Sequence, residues 1–250
     1  MTAHQPSPRI SLVVLAAGLV VWEIAGRALH FNFLPPLSAV AAASWELIRS
    51  GEVLGHLAVS LSSLAAGFGL AVAVGLPLGA LMGRYRAVEH LFDLYLYAFL
   101  ASPNLIYIPI LFALFGVGRQ AQIALVFLYA FFVIVVNTIS GVRASDAALE
   151  EMARSFGAKE LHLLRRVVLP GALPMVMAGL RLGMGRAMKG MINGEMFIAL
   201  TGLGALIRTY GGRFEADKVL GVLLVIVAVA VAAVGLVQSL ERRMTRWAES

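Results

Sequence analysis

Six stretches of this chain are apolar over about 20 residues each, the length a helix needs to cross the hydrocarbon core of a bilayer. They cover residues 10–29, 59–82, 91–115, 122–140, 173–200 and 219–240. The sixth is a run of Val, Ala and Leu with no charge between Lys218 and Val237, whereas the fifth holds Arg181, Arg186, Lys189 and Glu195. Hydrophobic residues make up 60% of the chain and charged residues 14%. Soluble domains run near 45–50% and about 25%. A soluble fold of this size could not hide so much apolar surface, so the predicted class is all-α: a polytopic membrane protein with about six transmembrane helices, built as a single transmembrane domain over residues 1–250. Cysteine is absent, which excludes disulfides, thiolate metal sites and cysteine nucleophiles.

The net charge of +6 would suggest nucleic acid in a soluble protein, but here most basic residues fall between the apolar runs and act as topology signals, so no nucleic-acid partner is expected. With the N-terminus inside, the cytoplasmic pieces hold Arg9, Arg84, Arg86, Arg143, Arg154, Lys159, Arg165, Arg166, Arg242, Arg243 and Arg246, 11 basic residues. The outer pieces hold 5, namely Arg49, Arg119, Arg208, Arg213 and Lys218, or 6 with Arg27. This asymmetry places both termini in the cytoplasm. The first run has a single basic residue before it and is longer than a signal-peptide core, so it reads as an uncleaved anchor.

In the first outer segment Leu34-Pro35-Pro36 breaks the chain. A short helix over 40–48 should follow, lying along the outer surface with Trp45, Leu47 and Ile48 available to an interface, and ending at Ser50-Gly51. In the second run Ala71, Gly75, Gly79 and Gly83 recur every four residues, so one helix face is small enough for another backbone to approach. Pro77 in the second run, and Pro103 and Pro109 in the third, should each remove a backbone hydrogen bond.

The cytoplasmic stretch 143–172 is too polar to span. Ser145 or Asp146 can cap a helix over 147–156, with Glu150 and Glu151 in its first half, and Gly157 can end it in a left-handed turn. A second helix over 159–168 should stop before Pro170. The first helix offers Leu149, Met152 and Phe156 on one side and carboxylates on another. The segment is either a solvated connector or a docking element for a cytoplasmic partner.

Glu151-Met152-Ala153, three residues, Gly157, nine residues, then Val167-Val168-Leu169-Pro170 resemble the E-A-A-x3-G-x9-I-x-L-P pattern of ABC importer permeases, with Met152 in place of the first alanine and Val167 in place of isoleucine. Leu34-Pro35-Pro36-Leu37-Ser38-Ala39-Val40, Gly51-Glu52-Val53-Leu54, His56, Ser60-Leu61, Ala66-Gly67-Phe68, Gly75-Leu76-Pro77-Leu78-Gly79 and Gly202-Leu203-Gly204 are similar to the subgroup serving nitrate, taurine and alkanesulfonates. The resemblance implies the type I ABC importer permease fold and two permease copies, taken as a homodimer in the bacterial inner membrane. A periplasmic binding protein would deliver a small anion or zwitterion. Separate ATPase subunits, holding ATP and Mg, would drive transport. Coupling to them would fall on Glu151, Met152, Ala153, Phe156, Gly157, Leu169 and Pro170. The sequence adds its own constraint: no G-x4-G-K-[ST] occurs and no lysine follows a glycine, so no ATPase activity or cofactor is expected of this chain. A self-sufficient secondary transporter or channel is the rival reading; it would need neither ATP nor the hairpin.

Arg186, Lys189 and Asn193 are spaced to share a helix face, and with Glu195 they lie deep in the fifth run. A charge there costs on the order of 2.5–3.5 kcal/mol, so these groups should face protein or water. Either the face lines the pathway and attracts an anion or zwitterion, or it closes an internal ion-pair network, Lys189 or Arg186 meeting Glu23 or Glu195. Asn104, Tyr107 and Asn137 are further pathway candidates. The five histidines show no metal-ligand spacing, and no metal site is expected.

Overall fold

The computed structural model describes residues 8–29, 33–198 and 201–246, and these form helices and short connections without a strand. His4, His30 and Leu200, the expected end of the fifth run, lie outside the described residues. The helices are α1 (Pro8–Leu29), α2 (Leu37–Arg49), α3 (Glu52–Arg84), α4 (Arg86–Ala101), α5 (Tyr107–Phe115), α6 (Arg119–Arg143), α7 (Ala147–Ser155), α8 (Glu160–Leu163), α9 (Leu169–Ile198), α10 (Leu203–Gly212) and α11 (Ala216–Met244). Among the described residues five segments are long and apolar enough to cross a membrane: Leu12–Leu29, Glu52–Arg84, Arg119–Arg143, Glu160–Phe197 and Ala216–Met244.

The third run is not the continuous helix expected over 91–115. It breaks into α4 and a second leg, Asn104–Phe115, bent by 97°. The cause is local. A proline disfavours helical backbone in the residue before it, and Ser102 is accordingly extended at φ −75°, ψ 142°. Pro103 therefore sits between helices and costs no bond inside one, and Pro109 falls in the first turn of α5. Pro77 alone of the three stands in a helix interior.

The glycine stripe of α3 sets the arrangement of the bundle. A Cβ at Gly67 would meet Val126, at Gly75 Ile134, at Gly79 Thr138 and at Gly83 Val142, every pairing stepping forward by the same 59 residues. The expected close approach is present, and Gly67 extends it by a turn. A constant forward offset means that α3 and α6 run parallel. The chain between two parallel membrane helices must return across the same thickness, so the bent pair fits one broken span, which makes six candidate crossings among the described residues. Helix α9 packs against α6 beside α3, the three sharing one buried cluster, and runs antiparallel to α6: Gly141 faces Ala172, Gly183 faces Ile134, Gly190 faces Tyr129 and Gly194 faces Leu125.

Two ends result. At one end gather Arg84, Arg143, the 147–168 hairpin and the Arg181–Glu241 ion pair (3.2 Å) that joins α9 to the end of α11. At the far end α2, α10 and the starts of α3 and α11 bury Leu47, Val53, Leu203, Leu206, Tyr210, Val222 and Ile226 together. Leu47 thus turns inward with Val40 and Ala43, while Trp45 and Ile48 stay exposed; the helix periodicity separates residues that the sequence reading had grouped. Helix α1 is tied to the far end by Trp22 Nε1–H donating to the Pro35 carbonyl (3.1 Å) and by Glu23 accepting from the Ser38 N–H (2.9 Å).

Candidate functional site

The hairpin is built from short-range signals. Asp146, rather than Ser145, caps α7: its Oδ1 accepts from the Ala148 N–H at 2.9 Å. Gly157 has φ +82°, and the turn closes with the Gly157 N–H donating to the Arg154 carbonyl (2.9 Å) and the Ala158 N–H to the Ala153 carbonyl (3.0 Å). This pair of bonds ends a helix through a left-handed residue, which glycine adopts without strain. The second helix does not stop before Pro170. It runs from α8 through one wide turn, Leu164–Val168, straight into α9. A proline ring clashes with the carbonyl four residues back, and the i→i+5 turn ahead of Pro170 moves those carbonyls out of α-helical register. The hairpin is therefore rigidly continuous with a span.

The residues expected to couple fall into two groups. Ala153 faces inward, against the buried cluster of Val142, Leu163, Val168 and Ala172. Glu151, Met152 and Phe156 face outward with Leu149, and Phe156 is 86% exposed. Leu169 and Pro170 are exposed at the start of α9. Beside the Phe156–Gly157 turn lies a groove of about 510 Å³ that also meets Lys159, His162 and Arg166.

What holds the hairpin is a residue the sequence reading took only as a topology signal. Arg84, the last residue of α3, donates from Nη1 to Glu150 (2.7 Å) and from Nε to Glu160 (2.6 Å). Glu160 also accepts from Arg154 at 2.9 Å. One guanidinium thus ties both arms of the hairpin to the end of a spanning helix. Arg143 pairs with Glu89 alongside.

The second group lies on α9. Arg186 and Lys189 are exposed and make no ion pair among the described residues. Asn193 is half-buried and its amide donates to the Tyr129 hydroxyl at 3.2 Å. Lys189, Asn193, Gly185, Met188, Ile192 and Ile226 border a depression of about 360 Å³ between α9 and α11. Neither expected acid is there. Glu23 pairs with Arg27. Glu195 is 1% exposed; it accepts from the Gln122 amide (2.5 Å) and the Gly204 N–H (2.9 Å). Asn137 donates back to its own helix at the Val133 carbonyl (2.8 Å). Asn104 opens the short turn after the break, and the Tyr107 hydroxyl donates across it to the Phe99 carbonyl (3.4 Å).

The structure thus brings Arg186, Lys189 and Asn193 to one face and sets Glu195, Asn137, Asn104 and Tyr107 elsewhere. The sequence reading missed Tyr129 and Gln122, which sit inside an apolar run without periodic signal.

Around Glu195 the turn into α10 is locked. The N–H groups of Gly202, Leu203 and Gly204 donate to His56 Nδ1 (3.0 Å), Ser60 Oγ (3.0 Å) and Glu195 (2.9 Å). Gly202 has φ +101°, and a Cβ there would strike the Glu195 carboxylate. Glu195→Ala would strand two buried donors at roughly 1–3 kcal/mol each, so it is expected to lower the melting temperature of the purified chain far more than Glu195→Gln, which keeps one acceptor.

The family model for binding-protein-dependent transport system inner membrane components matches residues 75–246. A putative aliphatic sulfonates transport permease protein of Escherichia coli is 35% identical over 242 residues, covering 96% of this chain and 92% of that one. The taurine transport system permease protein of Escherichia coli is 30% identical over 245 residues, covering 95% and 89%. Among solved structures, an inward-facing methionine ABC transporter chain superposes with a TM-score of 0.61 at 22% identity, covering 81% of this chain and 95% of that one.

Proposed function

Since this chain belongs to the family of binding-protein-dependent transport system inner membrane components, as an ABC importer permease of the sulfonate/taurine type, we propose that two identical copies form one translocation pathway for a small anion or zwitterion. The end bearing Arg84, Arg143 and the hairpin is cytoplasmic, as are both termini. A binding protein meets the α2–α10 end. ATP and Mg stay on separate ATPase subunits, and this chain carries out no covalent chemistry.

The observation that supports this reading best is the state of the hairpin. Leu149, Met152 and Phe156 project an apolar row that nothing among the described residues covers, from a hairpin fixed by Arg84 at its back and continuous with α9 through its second arm. An exposed apolar row on a rigid, charge-tethered lever suits a partner's groove better than a solvated connector. Movement of that partner would be carried through the Leu164–Val168 turn into α9, whose face bears Arg186, Lys189 and Asn193, and would swing the pathway from one side to the other.

The chain has no cysteine, so Phe156→Cys is a unique attachment point for a thiol-linked photocrosslinker. In the complex assembled in membranes, this label is expected to join the chain to an ATP-hydrolysing subunit, and a label at Trp45→Cys on α2 is not. Absence of the Phe156 adduct, or uptake that persists without ATP, would overturn the reading in favour of a self-sufficient transporter.

A further inference from the structure

Lys189 stands near the middle of the bundle. Its neighbour Gly190 lies against Tyr129, and Tyr129 is near the centre of α6. A lysine at such depth costs on the order of 2.5–3.5 kcal/mol unless something answers its charge. The carboxylates that might have answered it are engaged elsewhere: Glu195 with Gln122 and Gly204, Glu23 with Arg27 and Ser38, and Glu241 with Arg181. Lys189 and Arg186, one turn apart, therefore present two cations with no internal counter-charge among the described residues. Of the two, Lys189 borders a depression of about 360 Å³ whose walls include the apolar Met188, Ile192 and Ile226.

Asn193 adds direction. It lies one turn beyond Lys189 on the same face, and its amide nitrogen donates one N–H to the Tyr129 hydroxyl at 3.2 Å, which leaves the second N–H to donate to an anion. Gly190 makes this possible, because a Cβ there would come within 2.9 Å of the Tyr129 ring.

We propose that Lys189 is an anion-selecting subsite inside the permease, engaging the acidic headgroup of the solute in transit, with Asn193 beside it and Tyr129 as the residue that positions Asn193. The inference rests on the reading of this chain as a permease. It goes further by giving the membrane subunit its own choice of charge, separate from whatever selection a binding protein makes. A water-filled site lined by one sign of charge and by low-dielectric walls concentrates the opposite sign.

The test needs no knowledge of the natural solute. Ala230, on α11, borders the same depression. In the full chain carrying Ala230→Cys, the thiol is treated with two reagents of similar size, 2-sulfonatoethyl methanethiosulfonate and 2-(trimethylammonium)ethyl methanethiosulfonate, and each rate is divided by that for a free thiol. The anionic reagent is expected to be favoured at least tenfold. Lys189→Met should erase that preference, Lys189→Arg should keep it, and Tyr129→Phe should reduce it. A purely structural lysine would leave the ratio unmoved, and gel filtration of Lys189→Met shows whether the fold survives. Equal preference with and without Lys189 overturns the proposal. So does a thiol that reacts with neither charged reagent, because the depression would then not be open to water. No ATP or partner subunit enters this measurement, so it can fail while the Phe156 crosslink holds, and the reverse.

Discussion

Gly79→Leu is expected to leave almost no folded protein. A Cβ at Gly79 would lie 2.7 Å from the Thr138 Cβ and 2.9 Å from the Val135 carbonyl oxygen, and the second of these is backbone that cannot rotate away. In a membrane, helices gain nothing by hiding apolar surface from lipid tails that are equally apolar. Association rests on close van der Waals packing, for which small residues are needed. The α3–α6 contact is of this kind along its whole length, since Gly67 and Gly83 are as tightly met by Val126 and Val142 as Gly79 is by Thr138. A single added methyl, Gly79→Ala, should cost about 1–3 kcal/mol. Leucine adds three more carbons at the same point and should push the two helices apart. Gly69 is the control: it is exposed, and nothing lies within 4 Å of where its Cβ would be, so Gly69→Leu should melt like the parent. The measurement is thermal unfolding of purified protein, with gel filtration to count what remains monodisperse. Equal melting of the two leucine variants would mean that α3 and α6 are not packed as described.

Much of this arrangement was readable beforehand because it depends on local pattern. Apolar length located the spans, the four-residue recurrence of small side chains located the α3 face, and Asp146 and Gly157 marked the ends of α7. What escaped depends on how distant segments meet. The run 91–115 is apolar on both sides of Pro103, so composition could not tell a kink from a 97° break. Glu195 was grouped with Arg186, Lys189 and Asn193 because all four lie deep in one span. Two residues of helix beyond Asn193 turn about 200°, which carries Glu195 to the opposite side, against Gln122 and the α10 turn. Trp45 and Leu47 were separated by the same geometry. Arg84 looked like one more cytoplasmic arginine, because its two acidic partners lie 66 and 76 residues later in the chain.

Arg84→Ala should therefore have the largest effect on transport of any change outside the solute's path. Its guanidinium is 15% exposed and Glu150 17%, while Glu160 is 39% exposed. Removing it leaves two carboxylates facing each other with only Arg154 to answer them. Exposed pairs contribute about 0–1 kcal/mol, whereas removing one partner of a buried pair costs about 3–5 kcal/mol. This half-buried site should fall between, at about 2 kcal/mol, or roughly thirtyfold faster amide exchange in α7 and α8. Solute uptake by the assembled complex should fall further still, because a hairpin no longer tied to α3 yields to its partner without moving the span. Arg84→Lys should rescue little, since a point charge cannot hold two carboxylates in the directions set by Nε and Nη1. Removing Glu150 and Glu160 as well separates repulsion from tethering. With both carboxylates gone and only the exposed Arg154 left unpaired, the triple alanine variant should recover much of its exchange protection, yet it should stay poor in uptake because the tether is still missing. Uptake that returned along with protection would show that Arg84 only neutralises two acids and that the hairpin transmits motion without being anchored to α3.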